Sequence, residues 1–117
     1  MTFTREKDTE SWIRKEVEKL GGVFMKFTSP GNDGVPDRIA IFPDSRLVFV
    51  ELKKKTGKLT KIQEYQISRL VCLHQQVCVV RGRKAAEEFM RDMKDHSMDS
   101  IDYGPDGDDL PLYQEGR

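Results

Sequence analysis

The chain has 117 residues, enough for one domain with a modest core that needs no disulfides. Its formal net charge is zero, which on average argues against a nucleic-acid binder, but residues 1–94 carry a balance of +6 and residues 95–117 one of −6. A basic body therefore bears an acidic tail. No apolar run approaches the ~20 residues that cross a bilayer, and the charged N-terminus has no apolar h-region, so the expectation is a soluble, unexported, cytoplasmic protein with no membrane partner.

Residues 5–20 have helical spacing, with Ile13, Val17 and Leu20 at i, i+4 and i+7 and Trp12 beside them. Gly21-Gly22 ends that helix as a left-handed cap. Glu10 falls at the edge of the apolar stripe, and Glu6 and Glu16 also lie near it. Residues 23–27 read as a first strand interrupted by Lys26, which is either an exposed strand residue or a cation facing phosphate. The polar stretch 28–36 holds two glycines and two prolines and is too long for a tight hairpin.

Residues 37–42 and 46–53 are the second and third strands, joined at Pro43-Asp44-Ser45. Side chains alternate along a strand, so Glu51 and Lys53 point the same way and Leu52 turns to the other face. If the two runs pair as a hairpin, the Asp37 carboxylate can sit near Glu51. Two carboxylates and the Leu52 carbonyl make an all-oxygen set suited to Mg²⁺ or Mn²⁺. Lys53 then stands where an ammonium can orient a water and neutralise developing phosphate charge. Lys54, Lys55, Lys58 and Lys61 leave directly from this site and read either as a solvated face or, the reading favoured by that position, as a ridge that contacts phosphates.

A second helix spans about residues 59–74. Gln63 closes a capping box with Thr60, yet it also shares a face with Ile67, Leu70, Val71 and His74, which would aim it at the strand ends that carry Asp37, Glu51 and Lys53. Residues 77–81 are the fourth strand, and 83–94 a last amphipathic helix with Ala86, Phe89, Met90 and Met93 inward. Cys72 and Cys78 lack metal-ligand spacing and read as reduced core residues. Residues 95–117 are rich in Asp, Gly and Pro and are expected to be flexible, either solubilising the protein or competing with DNA through Asp106, Asp108 and Asp109.

Asp37 after Pro36, followed by Glu51-x-Lys53, resembles the PD-(D/E)xK nuclease signature. With Gly21-Gly22, Lys26, Gly34-Val35-Pro36-Asp37-Arg38, Phe49 to Lys53 and Gly57-Lys58-Leu59-Thr60-x-x-Gln63, the resemblance narrows to the VRR-NUC branch over roughly residues 6–83. It implies an α/β restriction-endonuclease-like core, α-β-β-β-α-β with a C-terminal helix, in a nuclease domain at 1–94. Asp37, Glu51, Lys53, Gln63 and the helical acid matched by Glu10 would be catalytic, and Asp37, Glu51, the Leu52 carbonyl and Glu10 would hold Mg²⁺ or Mn²⁺. Lys26, Arg38, Lys54, Lys55, Lys58 and Lys61 would contact nucleic acid.

The implied activity is metal-dependent DNA endonuclease action, structure-selective on branched DNA in the manner of Holliday-junction resolvases, by a homodimer and, if phage-encoded, in the host cytoplasm. The alternatives are a module that holds branched or single-stranded DNA without cutting it, and an RNA-directed nuclease with the same site. No covalent nucleophile and no phosphate-cradling GxxxxGKS loop is visible, so no nucleotide cofactor is expected.

Overall fold

In the computed structural model, which describes residues 6–112, six strands form one sheet in the order in which they occur along the chain. Helix α1 (Glu6–Lys19) leads into β1 (Val23–Lys26), β2 (Arg38–Ile41) and β3 (Leu47–Lys53). Helix α2 (Lys61–Cys72), β4 (Gln76–Arg81) and α3 (Gly82–Lys94) follow, and β5 (Ile101–Tyr103) and β6 (Leu110–Pro111) complete the sheet. The first three strands are antiparallel, β4 lies parallel to β3 and β5 to β4, and β6 turns back antiparallel on β5. This is the mixed sheet flanked by helices that the resemblance implies.

β3 and β4 read as near-continuous apolar runs because both of their faces are covered, as parallel strands require. On one face Ile13 and Val17 of α1 and Ala85, Ala86, Phe89, Met90 and Met93 of α3 meet Phe24, Ala40, Val48, Val50, Leu52, Cys78 and Val80. On the other, Ile67 and Val71 of α2 cover Val77 and Val79, with Phe49 and Leu59 packed alongside. The Gly-Gly turn between α1 and β1 is a steric necessity. A Cβ on Gly22 would lie 2.4 Å from the Ile41 carbonyl oxygen, so only glycine lets β1 leave the helix this close to β2.

The structure departs from the expected flexible tail. The acidic segment supplies β5 and β6, and Tyr103 is fully buried, its ring edge-on to Phe89 at 5.9 Å and its hydroxyl donating to Asp92 at 2.7 Å. Only three residues pair with β4, too short a run to stand out among aspartates, glycines and prolines. Asp102 is admitted because Arg81 on β4 forms an ion pair with it. Residues 113–117 of the segment lie outside the described residues.

Two further expectations change. Cys78 is buried, its thiol pushed up to about 12 by desolvation, but Cys72 is exposed at the end of α2. His74 does not continue the inward face of α2, because the helix stops at Cys72 and His74 turns out at φ 64°. Among the described residues, no helix is long and apolar enough to cross a membrane.

Candidate active site

The site arises because β3 outruns β2. Arg38 at the start of β2 pairs with Val50, which leaves Glu51, Leu52 and Lys53 at the end of β3 beyond that ladder, with Asp37 standing beside them. The Leu52 N–H donates to Asp37 Oδ1 at 3.3 Å, and the Asp37 backbone favours the charged form of the Glu51 carboxylate. A strand residue sends its N–H and C=O to the same edge, so the Leu52 carbonyl faces the Asp37 side as well.

Glu51 is 5% exposed. Burial and then the charge of Asp37 push its carboxyl up to about 7, against the opposing pull of the Lys53 ammonium and the Asp37 backbone. Lys53 Nζ lies 3.8 Å from Glu51 Oε2, and Gln63 Nε2 donates to the same oxygen at 3.1 Å. Four of the sequence-derived residues, Asp37, Glu51, Lys53 and Gln63, are thus brought together with the Leu52 backbone. The donor chemistry fits a hard divalent cation, since the Asp37 and Glu51 carboxylates and one carbonyl supply only oxygen.

Helix α2 holds this arrangement from one side. Thr60 caps it, with the Thr60 hydroxyl accepting the Gln63 N–H at 3.2 Å. The first turn lies against the loop ahead of Asp37, where a Cβ on Gly34 would come 2.8 Å from the Ile62 carbonyl oxygen. Gln66, also buried, donates to the Asp33 carbonyl at 3.0 Å. Sequence reasoning passed over Gln66; its spacing of three residues from Gln63, on a helix already assigned to the site, was the available signal.

Glu10 is buried, but its carboxylate is engaged by arginines. One oxygen pairs with Arg14, and the other lies 3.6 Å from Arg38 Nε. Glu6, one turn earlier on α1, is the helical acid whose charge contributes to raising Glu51. No three side chains among His, Cys, Asp and Glu are arranged to hold a metal among the described residues, so the oxygen set here is the Asp37 and Glu51 carboxylates with a backbone carbonyl.

Arg38, expected on nucleic acid, turns inward, with Nη1 3.2 Å from Asp37 Oδ2 and 3.0 Å from the Asp37 carbonyl. Lys26, its cross-strand neighbour on β1, is exposed, as are Lys54, Lys55, Lys58 and Lys61. The lysine loop is tied down where Arg81 Nε donates to the Gly57 carbonyl at 2.7 Å.

Two known proteins are similar to this chain. The chain is 41% identical over 80 residues to "Putative nuclease p44" of Acyrthosiphon pisum secondary endosymbiont phage 1, across 68% of this chain and 86% of that relative. A solved structure described as "VRR_NUC domain" matches with a TM-score of 0.71 at 27% identity, covering 76% of this chain and 97% of that one. No family model matches the chain. With a nuclease relative aligned over most of its length and a VRR-NUC structure matched nearly end to end, the chain belongs to the VRR-NUC nuclease family.

Proposed function

We propose that this chain is a Mg²⁺- or Mn²⁺-dependent DNA endonuclease that acts on branched DNA as a homodimer. The observation that carries the reading is the pairing of Asp37 and Glu51 at the end of β3 with the Lys53 ammonium 3.8 Å from Glu51. A protein that only held DNA would gain nothing from carboxylates turned towards phosphates.

Asp37, Glu51 and the Leu52 carbonyl would hold the cation. When bound, it supplies Lewis-acid polarisation of the phosphodiester and a water of lowered pKa. Lys53 stands beside the acids, where its ammonium orients the attacking water and offsets the charge that grows on the phosphate. Gln63 fixes the Glu51 oxygen it touches, so that carboxylate enters the reaction already oriented. The exposed lysines at 54, 55, 58 and 61 supply the phosphate contacts that hold the strand across the site.

The homodimer draws support from the sheet face that Asp37 and Glu51 share. Val23, Ile41 and Leu47 form one cross-strand row there and Met25, Ile39 and Phe49 another. Val23, Met25 and Leu47 are each exposed by about two-fifths. Two copies joined on this surface would offer paired sites to a junction with two equivalent strands.

The test is cleavage of a labelled four-way junction, a flap and a linear duplex in Mg²⁺, Mn²⁺ or EDTA, beside Lys53→Ala. Metal-dependent cutting of the branched substrates, reduced at least ~100-fold in the variant, is the expected result. Binding without cutting in either metal overturns the nuclease reading in favour of a DNA-holding module.

A further inference from the structure

We propose that Arg38 is a positioning residue, which tethers Asp37 to helix α1 through Glu10, and that Glu10 acts through Arg38. This rests on the nuclease reading of the site. The sequence pattern places Arg38 among phosphate contacts, but its side chain is only 14% exposed and its charge is already spent inside the protein. Nη1 reaches both Asp37 Oδ2 at 3.2 Å and the Asp37 carbonyl at 3.0 Å, a grip on side chain and backbone of the same residue.

From the opposite end of the guanidinium, Nε lies 3.6 Å from Glu10 Oε2, and the second Glu10 oxygen is taken by Arg14. The charges alternate along one chain of contacts, Arg14, Glu10, Arg38, Asp37, and the last of these accepts the Leu52 N–H on its other oxygen.

The arrangement explains two facts together. Asp37 sits outside β2, where no ladder fixes its side chain, and Arg38 with Leu52 supplies the missing constraint from both sides. Glu10 is buried on α1, and two arginines provide the partner charge. A planar guanidinium suits the task because it can hold two acids at separate edges, which an ammonium cannot. A tether of this kind fixes the aim of Asp37 without touching DNA.

The test compares Arg38→Met, Arg38→Lys, Glu10→Gln and the Glu10→Gln/Arg38→Met double variant. DNA binding is measured in EDTA across several salt concentrations, single-turnover cleavage in Mn²⁺ at saturating DNA, and the thermal midpoint in EDTA. The tether predicts that Arg38→Met binds DNA with wild-type affinity and salt slope while its single-turnover rate falls ~100-fold.

It further predicts that Arg38→Lys restores little of that rate, and that Glu10→Gln adds nothing once Arg38 is gone. A salt slope reduced by about one with an unchanged single-turnover rate makes Arg38 a phosphate contact and overturns the proposal. Independent, multiplying effects of the two substitutions overturn it as well, since Glu10 would then act without Arg38.

If Arg38→Met does not fold, Arg38→Lys carries the same comparisons. If the wild type cuts no DNA, the nuclease reading fails by itself and the tether is judged on midpoints. Glu10→Gln should then lower the midpoint of the wild type more than that of the Arg38 variant, which keeps only the Arg14 pair to lose, and equal lowering in both backgrounds refutes it.

Discussion

Gln63 donates from Nε2 to Glu51 Oε2 at 3.1 Å while its own Oε1 accepts the Thr60 N–H at 2.9 Å. One amide therefore completes the capping box of α2 and orients a buried carboxylate on β3. The cap and the strand end, between which the sequence left this residue, are both contacted, since an amide has a donor end and an acceptor end and each is used.

Gln63→Ala should lose both contacts and cost about 1–2 kcal/mol of stability. Gln63→Glu keeps the cap but sets a second carboxylate against Glu51. In EDTA that variant should lose stability between pH 5 and pH 8 more steeply than Gln63→Ala. Urea unfolding at the two pH values measures the difference, and equal slopes would show that the amide does not bear on Glu51.

Glu51 itself predicts a pH dependence. Its carboxyl is raised from 4.5 to about 7 in the folded protein, so folding favours the protonated form. The associated stabilisation is fully present below about pH 4.5 and is lost as the pH climbs through 7. For the metal-free protein the loss attributable to this group is up to roughly 3 kcal/mol. Glu51→Gln should flatten the stability curve across that interval. The difference between wild type and variant in EDTA isolates the effect from other titrating groups, and a difference independent of pH would refute it.

Gly34 and Gly31 offer a controlled pair on the loop that precedes Asp37. Both have φ near +85°, but an added Cβ meets the Ile62 carbonyl at Gly34 and nothing within 4 Å at Gly31. Alanine at either site carries the same backbone strain, about 1 kcal/mol. Only Gly34→Ala also pushes the loop off α2. It should be the less stable of the two by a further ~1–2 kcal/mol and should lose more cleavage activity, because loop and helix together hold Asp37 and Gln63. Parallel denaturation and rate measurements on the two variants decide it.

Tyr103 makes the acidic segment part of the fold. Tyr103→Phe should cost about 1 kcal/mol for the hydrogen bond to Asp92, and Tyr103→Ala about 3–5 kcal/mol for the emptied core. Removing residues 97–117 would take away this side chain and β5, so it cannot serve as a clean test of charge competition with DNA. Asp106→Asn with Asp108→Asn serves better, since both residues are exposed. Tighter DNA binding at low salt in that variant, at unchanged stability, would show the competition; unchanged affinity would exclude it.

The order of the first seven elements was legible because each carries a period or a stop: the i, i+4, i+7 stripe of α1, the Gly-Gly cap, and the apolar runs of β3 and β4. The acid and lysine cluster was legible for a related reason. Glu51 and Lys53 share a face by alternation alone, and Asp37 needs only a hairpin to join them.

What could not be read is whatever depends on a contact between distant elements. Glu10 was correctly placed at the edge of a helical stripe, but its two arginine partners follow from how α1 lies on β2. Arg38 looked like a phosphate contact because periodicity says nothing of which way a long side chain folds back. β5 was missed because Ile101-Asp102-Tyr103 is too short to display alternation, and only the neighbouring β4 and the Arg81 charge make a strand of it.

Because Gln63 reaches Glu51, Gln66 holds the Asp33 carbonyl and Ile62 lies on Gly34, helix α2 braces both Glu51 and the loop ahead of Asp37. That helix is itself seated on Val77 and Val79, which the ribosome adds only after α2 is complete. A growing chain thus already possesses every acid and lysine of the centre while lacking the brace that aims them. The braced arrangement is therefore acquired late in synthesis, and any opening that lifts α2 from the sheet undoes it before the molecule unfolds.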